Sequence, residues 1–262
     1  MRFRRRQRLL WQYLFVVCLT GSSVLSATWA APQRIVSLDL CTDWMIARYV
    51  ESERVVALSR YIDRYKLSWI DDEWPTHRGL LEEVLVLQPD LVLVGEYNAM
   101  SLRQRLQALG VRVEVLPFPT SLNDIATYER RFFNALELAE QPRSDVPVAD
   151  KRVDRQRLLV LGANGIGMGH GTFEDDVIRY AGWENYLTHE GYVNLDIEQL
   201  IINPPDAMLL PAAQTPALAY QFAQHPVLKK RLSKDKWIST EAWQWQCPGP
   251  WSWELIESIR PK

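Results

Sequence analysis

Histidine and cysteine are scarce in this sequence, which limits the metal and catalytic sites that it can form. The 262 residues include four histidines and three cysteines, namely His77, His170, His189, His225, Cys18, Cys41 and Cys247. Zinc and manganese sites usually cluster histidines with carboxylates, but these histidines are dispersed along the chain. We therefore expect no metal site of the protein's own, although two histidines could still meet on one face.

The familiar motifs of hydrolases are absent as well. No G-x-S-x-G sequence marks a nucleophile elbow, and no H-E-x-x-H sequence marks a zinc hydrolase. No serine, histidine and aspartate have a spacing that indicates a catalytic triad. The sequence therefore predicts a protein that is not an enzyme, without catalytic residues and without a cofactor of its own.

A glycine-rich run, GANGIGMGHG at 162–171, follows a predicted strand and suggests a dinucleotide-binding oxidoreductase. That fingerprint requires G-x-G-x-x-G. In the registers that start at Gly165 and Gly167, the last glycine position is occupied by His170 and Thr172, so both of these registers fail. We interpret the run as a flexible loop that lets backbone amides approach a ligand, and we keep an exported nucleotide-binding oxidoreductase as an alternative.

The first thirty residues have the layout of a secretory signal peptide. Five arginines precede the apolar run LLWQYLFVVCLT and a stretch of small residues, with cleavage expected near Ala30 or Ala31. A retained membrane anchor is the alternative, although Gln12 interrupts the apolar run. Removing the five arginines changes the formal net charge from −2 to −7. A mildly acidic surface argues against nucleic acid or anionic lipid as a partner.

Cleavage would leave only Cys41 and Cys247. Two cysteines in an oxidising compartment most often pair, so we predict a disulfide between them. Two free buried thiols remain an alternative, and a thiolate metal site is another.

One unit of the sequence occurs twice. EEVLVLQPDLVLV begins at Glu82 and EQLIINPPDAMLL begins at Glu198, and the same offset of 116 places Pro89-Asp90 on Pro205-Asp206. Strands alternate with helices on both sides of a helical segment, DIATYERRFFNALELAE. The pattern predicts the α/β class, with two similar doubly wound lobes joined by a helical connector and a ligand cleft between them. Chance similarity of two αβ units is the alternative.

We expect four parts: a signal peptide at 1–30, an N-terminal lobe at 31–122, a connector at 123–155 and a C-terminal lobe at 156–262. Pro142 and Pro147 interrupt the connector, which leaves the rigidity of the lobe arrangement open.

Three segments carry a family resemblance: RIVSLDLCTDWMIA at 34–47, RGLLEEVLVLQPDLVLVGEY at 78–97 and LDIEQLIINPPDAMLL at 195–210. They resemble periplasmic substrate-binding proteins of ABC importers, in the class that serves ferric siderophores, haem and cobalamin. LCTD at 40–43 and WQCPGPW at 245–251 are similar to the two ends of several members. The resemblance implies a monomer in the periplasm that captures an iron complex or cobalamin and delivers it to a permease and its ATPase.

In this class one surface glutamate of each lobe contacts arginines of the permease. The resemblance assigns that role to Glu82 and Glu198. Two exposed carboxylates, one in each lobe, would set the docking register and favour specificity and association rate. Alternatively, each glutamate only favours the N-terminal end of its own helix.

Cleft residues should come from loops at the strand ends. The candidates are Asp39, Cys41, Asp43, Arg60, Tyr61, Arg78, Glu96, Tyr97, Asn164, His170, Trp243, Trp245 and Trp251. Five tryptophans lie in WISTEAWQWQCPGPWSW, at 237–253, and indole faces suit a flat, partly apolar ligand; core packing is the alternative for each one. Arg60 and Arg78 could neutralise an anionic chelate, or could simply be solvated. A zinc- or manganese-binding importer component remains an alternative function.

Overall fold

A computed structural model describes residues 31–70, 74–139, 155–211 and 221–261. Its strands are β1 (Ile35–Ser37), β2 (Val55–Ser59), β3 (Thr76–His77), β4 (Leu91–Gly95), β5 (Val113–Leu116), β6 (Arg157–Val160), β7 (Ile166–Met168), β8 (Glu184–Asn185), β9 (Tyr192–Asn194), β10 (Ala207–Leu210) and β11 (Trp237–Ser239). Its α-helices are α1 (Leu40–Tyr49), α2 (Leu81–Val86), α3 (Met100–Ala108), α4 (Asp124–Ala135), α5 (Phe173–Ala181), α6 (Ile197–Ile202), α7 (Pro226–Arg231) and α8 (Ser252–Ser258).

The N-terminal lobe is built on a five-stranded parallel sheet in the order β3-β2-β1-β4-β5. The inner strand β4, which has a neighbouring strand on each side, is buried from Leu91 to Val94, which explains its continuous apolar sequence. The strand order reverses between β1 and β4, and ligands of open α/β sheets bind at such a switch point, beyond the carboxyl ends of the strands.

The C-terminal lobe repeats this arrangement. Its four-stranded sheet has the order β11-β10-β6-β8, with every pairing parallel. When β6 and β10 are matched to β1 and β4, the strand order of the two lobes is the same. The fold-class prediction of two similar α/β lobes is therefore confirmed.

The glycine-rich run is not the flexible loop that its sequence suggests. Residues 166–168 form β7, which pairs antiparallel with β9 in a separate two-stranded sheet, and Gly167 also forms an antiparallel bridge with Leu161, just after β6. A Cβ atom at Gly167 would lie 2.5 Å from a methyl carbon of Leu187, and one at Gly169 would lie 2.2 Å from the carbonyl oxygen of His189. The glycines thus allow close packing within the lobe, and the Gly169 amide donates internally to Gly191 at 2.8 Å.

Two segments pack into both lobes. Helix α4 places Phe132 in the N-terminal core and Ile125 in the C-terminal core. The C-terminal segment also contributes to both cores. Trp251 lies in the N-terminal core, and Leu255 of α8 lies in the C-terminal core. Pro142 and Pro147 and the predicted signal peptide lie outside the described residues. Over the described ranges, none of the helices has both the length and the apolar character needed to span a bilayer.

The repeated Pro-Asp has a structural explanation. The carboxylate of Asp90 accepts hydrogen bonds from the amides of Gln33 and Arg34, at 2.8 and 3.0 Å. In the other lobe the carboxylate of Asp206 accepts one from the amide of Arg157, at 2.8 Å. Each aspartate therefore fixes the chain that enters the first strand of its lobe.

The two arginines complete the arrangement. The Arg34 guanidinium donates to the carbonyl oxygens of Leu87 and Gln88, just after α2, and the Arg157 guanidinium donates to that of Pro204, just after α6. A cation near the carbonyl groups at a helix end is favourable. We call this pair of interactions the Asp–Arg clamp, and it occurs once in each lobe.

Candidate functional site

Asp39 lies at the switch point of the N-terminal sheet. It caps α1, because its Oδ1 accepts hydrogen bonds from the amides of Cys41 and Thr42 at 3.0 and 3.2 Å. Its Oδ2 accepts one from the Gly95 amide at 2.6 Å, which joins the ends of β1 and β4. The side chain is 5% exposed. The carboxylate of Asp39 bonds only to groups of its own lobe among the described residues. We therefore assign it a structural role at the edge of the sheet and leave it out of the proposed ligand surface.

Asp43 lies deeper in the same lobe and is fully buried. Its carboxyl group forms two hydrogen bonds with Ser59, one from the amide at 2.9 Å and one with the hydroxyl oxygen at 2.5 Å. Burial raises the pKa of Asp43 to about 8, because these hydrogen bonds only partly offset the loss of solvent. Asp43 is therefore protonated at neutral pH, and it serves the packing of the lobe and not ligand binding.

Aromatic side chains are exposed along the edge of the N-terminal sheet. Tyr61 follows β2, Tyr97 follows β4 and Phe118 follows β5; they are 46%, 68% and 40% exposed. Tyr97 and Phe118 lie together, with their ring centroids 6.0 Å apart. The Glu96 carboxylate accepts a hydrogen bond from the Phe118 amide at 3.3 Å and so links the two loops. Sequence reasoning missed Phe118.

The two arginines predicted to meet an anionic ligand have different surroundings. The Arg60 guanidinium lies over the Tyr61 ring, 5.3 Å from its centroid, at the same edge. The Arg78 guanidinium donates to the Glu83 carboxylate at 2.6 Å, and the Arg78 amide donates to the same carboxylate. Arg78 is thus engaged by the first turn of α2, and only Arg60 stays in the proposed site.

The C-terminal lobe contributes the turn after β6 and the two-stranded antiparallel sheet of β7 and β9. Asn164 is exposed, with a backbone φ of 57°, at the switch point between β6 and β10. Half-buried His170 forms a parallel backbone bridge with Glu190, beyond the end of β7. Tyr192, in β9, is 65% exposed and lies opposite Met168. Sequence reasoning missed Tyr192 too.

The tryptophans of the C-terminal segment serve mainly as core. Trp251 is fully buried, with its centroid 5.4 Å from Trp44, and its indole N–H donates to the Cys247 carbonyl. Half-buried Trp243 packs against Trp44 and Trp69. We therefore leave Trp251 out of the proposed ligand surface.

Trp245 and the two cysteines complete the C-terminal segment. The Trp245 indole donates to the Thr240 hydroxyl at 2.8 Å. The predicted disulfide between Cys41 and Cys247 is present, with the Cα atoms 5.4 Å apart. It fastens the segment that follows the C-terminal sheet to the start of α1 in the N-terminal lobe. Since both sulfurs are in this bond, the alternatives of free thiols and a thiolate metal site are wrong.

Glu82 and Glu198 are the second residues of α2 and α6, and both are exposed. Each helix has six residues and packs on its own sheet, so the two carboxylates lie at matching positions in the two lobes. Within the described part of the chain, neither carboxylate has a recorded hydrogen bond or ion pair.

Similar proteins were found by sequence and by structure. The chain is 29% identical over 221 residues to the vitamin B12-binding protein of Pectobacterium atrosepticum, covering 77% of this chain and 79% of that protein. It is 23% identical over 238 residues to that of Pectobacterium carotovorum, covering 82% and 84%. A periplasmic haem-binding protein from Pseudomonas aeruginosa superposes with a TM-score of 0.65 at 22% identity, over 87% of this chain and 91% of that one. No protein-family model matches the chain.

This is the fold of the two-lobed periplasmic binding proteins. The resemblance seen in the sequence is confirmed, since matches in sequence and in structure both extend over most of the chain. The relatives are named as binding proteins, and neither a zinc- or manganese-binding component nor an oxidoreductase is favoured by them.

Proposed function

We propose that this protein is the periplasmic solute-binding component of an ABC importer and that its ligand is a corrinoid of the cobalamin type. It acts by binding and delivery and not by catalysis. The observation that carries the proposal is the group of exposed aromatic side chains at the edges of both lobes, in a chain whose curated relatives are named for vitamin B12. Haem and ferric siderophores are the other members of the ligand class.

The aromatic side chains fit a large, partly apolar ligand. Every aromatic residue counted as exposed in the described part of the chain lies at one of these edges: Tyr61, Tyr97, Phe118 and Tyr192. Aromatic rings offer a large contact area at a low cost in conformational entropy, and tyrosine adds a hydroxyl group. These four side chains, with Arg60, Glu96, Asn164 and His170, form the proposed ligand surface.

Charge favours a corrinoid within this class. Haem carries two propionates, and many ferric chelates are anionic, so these ligands gain from several basic groups. Of the two arginines expected for that purpose, Arg78 is paired with Glu83, while Glu96 adds an exposed acid. A cobalamin presents mainly neutral amide groups, which tyrosine, asparagine and backbone groups can bind.

Delivery requires a membrane permease and its ATPase. The carboxylates of Glu82 and Glu198, one in each lobe, are exposed and have no partner among the described residues, which supports docking to basic groups of that permease. The periplasmic location is supported by the names of similar structures and by the disulfide.

Ligand titrations test the proposal directly. Purified protein is titrated with cyanocobalamin, hemin and ferrichrome in parallel, with tryptophan quenching and calorimetry as readouts. We expect one site, with a Kd for cyanocobalamin at least tenfold below the other two. The variant Tyr97→Ala/Tyr192→Ala should weaken that binding at least tenfold, because both rings leave the surface. The control Leu109→Ala, at the exposed end of α3, should bind normally. Tighter binding of hemin than of cyanocobalamin would identify haem as the ligand in place of a corrinoid. No binding of any of the three ligands would overturn the proposed function.

A further inference from the structure

Each of the two helices that carry the docking glutamates also carries a very exposed aliphatic residue. Val86 in α2 is 81% exposed and Ile202 in α6 is 74% exposed. They are the two most exposed large apolar side chains recorded for the described residues. The offset between them is 116 positions, the same as between Glu82 and Glu198.

The two helices match position by position. Residues four apart lie on the same face of a helix, so Glu82 and Val86 share one face of α2, and Glu198 and Ile202 share one face of α6. On the other side, Val84 and Leu200 are buried at equivalent positions, 0% and 2% exposed. Each lobe therefore packs one side of a short helix into its core and presents an acid beside an aliphatic residue on the other side.

A single exposed aliphatic residue is common on protein surfaces and needs no explanation. Here a β-branched aliphatic residue is exposed at the same position of a repeated unit, twice, and each time it lies beside an acid that has no partner among the described residues. The Asp–Arg clamps account for the repeated Pro-Asp, but they do not involve the side chains of Val86 or Ile202. Core packing does not account for these two side chains either.

We propose that Val86 and Ile202 are apolar anchors of the permease-docking surface, which we define as Glu82, Val86, Glu198 and Ile202. This inference rests on the proposed function. The partner it fits is a protein with two matching sites, each with a basic group next to an apolar depression. Exposed ion pairs mainly set association rate and register, whereas well-packed apolar anchors mainly slow dissociation.

The pair of glutamates and the pair of aliphatic residues therefore have separable effects on association and dissociation rates. The full-length exported protein is immobilised, and the cognate permease–ATPase complex in lipid nanodiscs is flowed over it at low and at high salt. Val86→Ser/Ile202→Ser should raise the dissociation rate about tenfold or more at both salt concentrations. Glu82→Ala/Glu198→Ala should mainly lower the association rate and its salt dependence. Leu109→Ser, which removes a leucine 59% exposed at the end of α3, should behave as wild type.

The outcomes separate this inference from the function on which it rests. Unchanged dissociation of Val86→Ser/Ile202→Ser, with impaired docking of Glu82→Ala/Glu198→Ala, overturns the anchors and keeps the docking role. No binding of wild-type protein, or normal binding of both double variants, overturns the docking role as well. A wild-type dimer in sedimentation analysis that Val86→Ser/Ile202→Ser abolishes would assign the surface to a second copy of the chain. Cyanocobalamin titration and thermal unfolding of each variant show that ligand site and fold are intact.

Discussion

The two lobes are alike in the unit that joins a short helix to a buried strand, and they differ in the loops at the edges of their sheets. In both lobes an exposed glutamate is the second residue of the helix, and an Asp–Arg clamp fixes the entry to the first strand. At the edges, the N-terminal lobe has buried carboxyl groups and a disulfide, whereas the C-terminal lobe has a small antiparallel sheet whose first strand lies in the glycine-rich run.

This difference separates two requirements, docking to a partner and binding of a ligand. A partner that contacts both lobes in an equivalent way favours equal units, and the repeated helices provide them. A ligand held between the lobes has no such symmetry, so the edges are free to diverge. The exposed aromatic residues follow this division, with Tyr61, Tyr97 and Phe118 in one lobe and Tyr192 in the other.

The largest expected effect concerns the disulfide, which has no counterpart within the C-terminal lobe. The bond joins residues 206 positions apart, and the chain-entropy model gives it about 5 kcal/mol of stabilisation. Cys41→Ser/Cys247→Ser should lower the free energy of unfolding by about 2–5 kcal/mol, as measured by urea denaturation. Reduced wild-type protein is the matched control and should lose a similar amount. A loss below about 1 kcal/mol in both would show that aromatic packing alone holds the C-terminal segment.

The next effect concerns Asp43, a buried carboxyl group of the N-terminal lobe. An unfolded aspartate ionises near pH 4, while the folded pKa of about 8 keeps Asp43 protonated to higher pH. Folding therefore takes up a proton at Asp43 between these values, and the contribution of Asp43 to stability falls as pH rises from 5 to 8, by at most about 1.4 kcal/mol per pH unit. Burial raises the pKa of Asp39 as well, which acts in the same direction.

Asp43→Asn tests this pH dependence. An amide resembles the protonated carboxyl group, so the variant should fold. Its stability should decline less steeply between pH 5 and 8 than that of the wild type, because only the contribution of Asp39 remains; denaturation at four pH values measures both slopes. Asp124→Asn is the control, because hydrogen bonds from Ser121 lower the pKa of Asp124 and its titration lies below this window. An unchanged slope in Asp43→Asn would mean that the carboxyl group ionises normally in the folded protein.

The sequence predicts those features that come from repetition and pairing. The doubly wound class follows from alternating strands and helices, the two lobes follow from the repeated Pro-Asp, and the disulfide follows from two cysteines in an exported chain. Each of these depends on residue types at a fixed spacing, which a single sequence displays.

The edge residues depend instead on which side chains the tertiary structure covers. Trp251 and Tyr97 both lie in turns, but Trp251 is fully buried and Tyr97 is 68% exposed. Phe118 was missed because it follows a strand without any further pattern, and Tyr192 because its strand is only three residues long. Arg78 was assigned to a ligand because its pairing with Glu83 depends on how the chain turns into α2.

The smallest expected effect compares the two Asp–Arg clamps with each other. Asp90→Ala removes two hydrogen bonds to backbone amides, whereas Asp206→Ala removes one and an ion pair with Arg157 at 3.6 Å. Both clamps are partly solvated, so we expect each variant to lose about 1–2 kcal/mol, with Asp90→Ala the more destabilised. Asp63→Ala, at an exposed turn after β2, is the control and should stay within about 0.5 kcal/mol of wild type.

The same two variants distinguish what the repeat is for. If the clamps serve the fold alone, both proteins should still bind cyanocobalamin and dock normally once they are folded, because neither aspartate lies on the proposed ligand or docking surface. A clamp variant that keeps its stability but fails to dock would place Asp90 or Asp206 in the interface. The Pro-Asp repeat would then have two roles, contact with the partner and fixing the start of the sheet in each lobe.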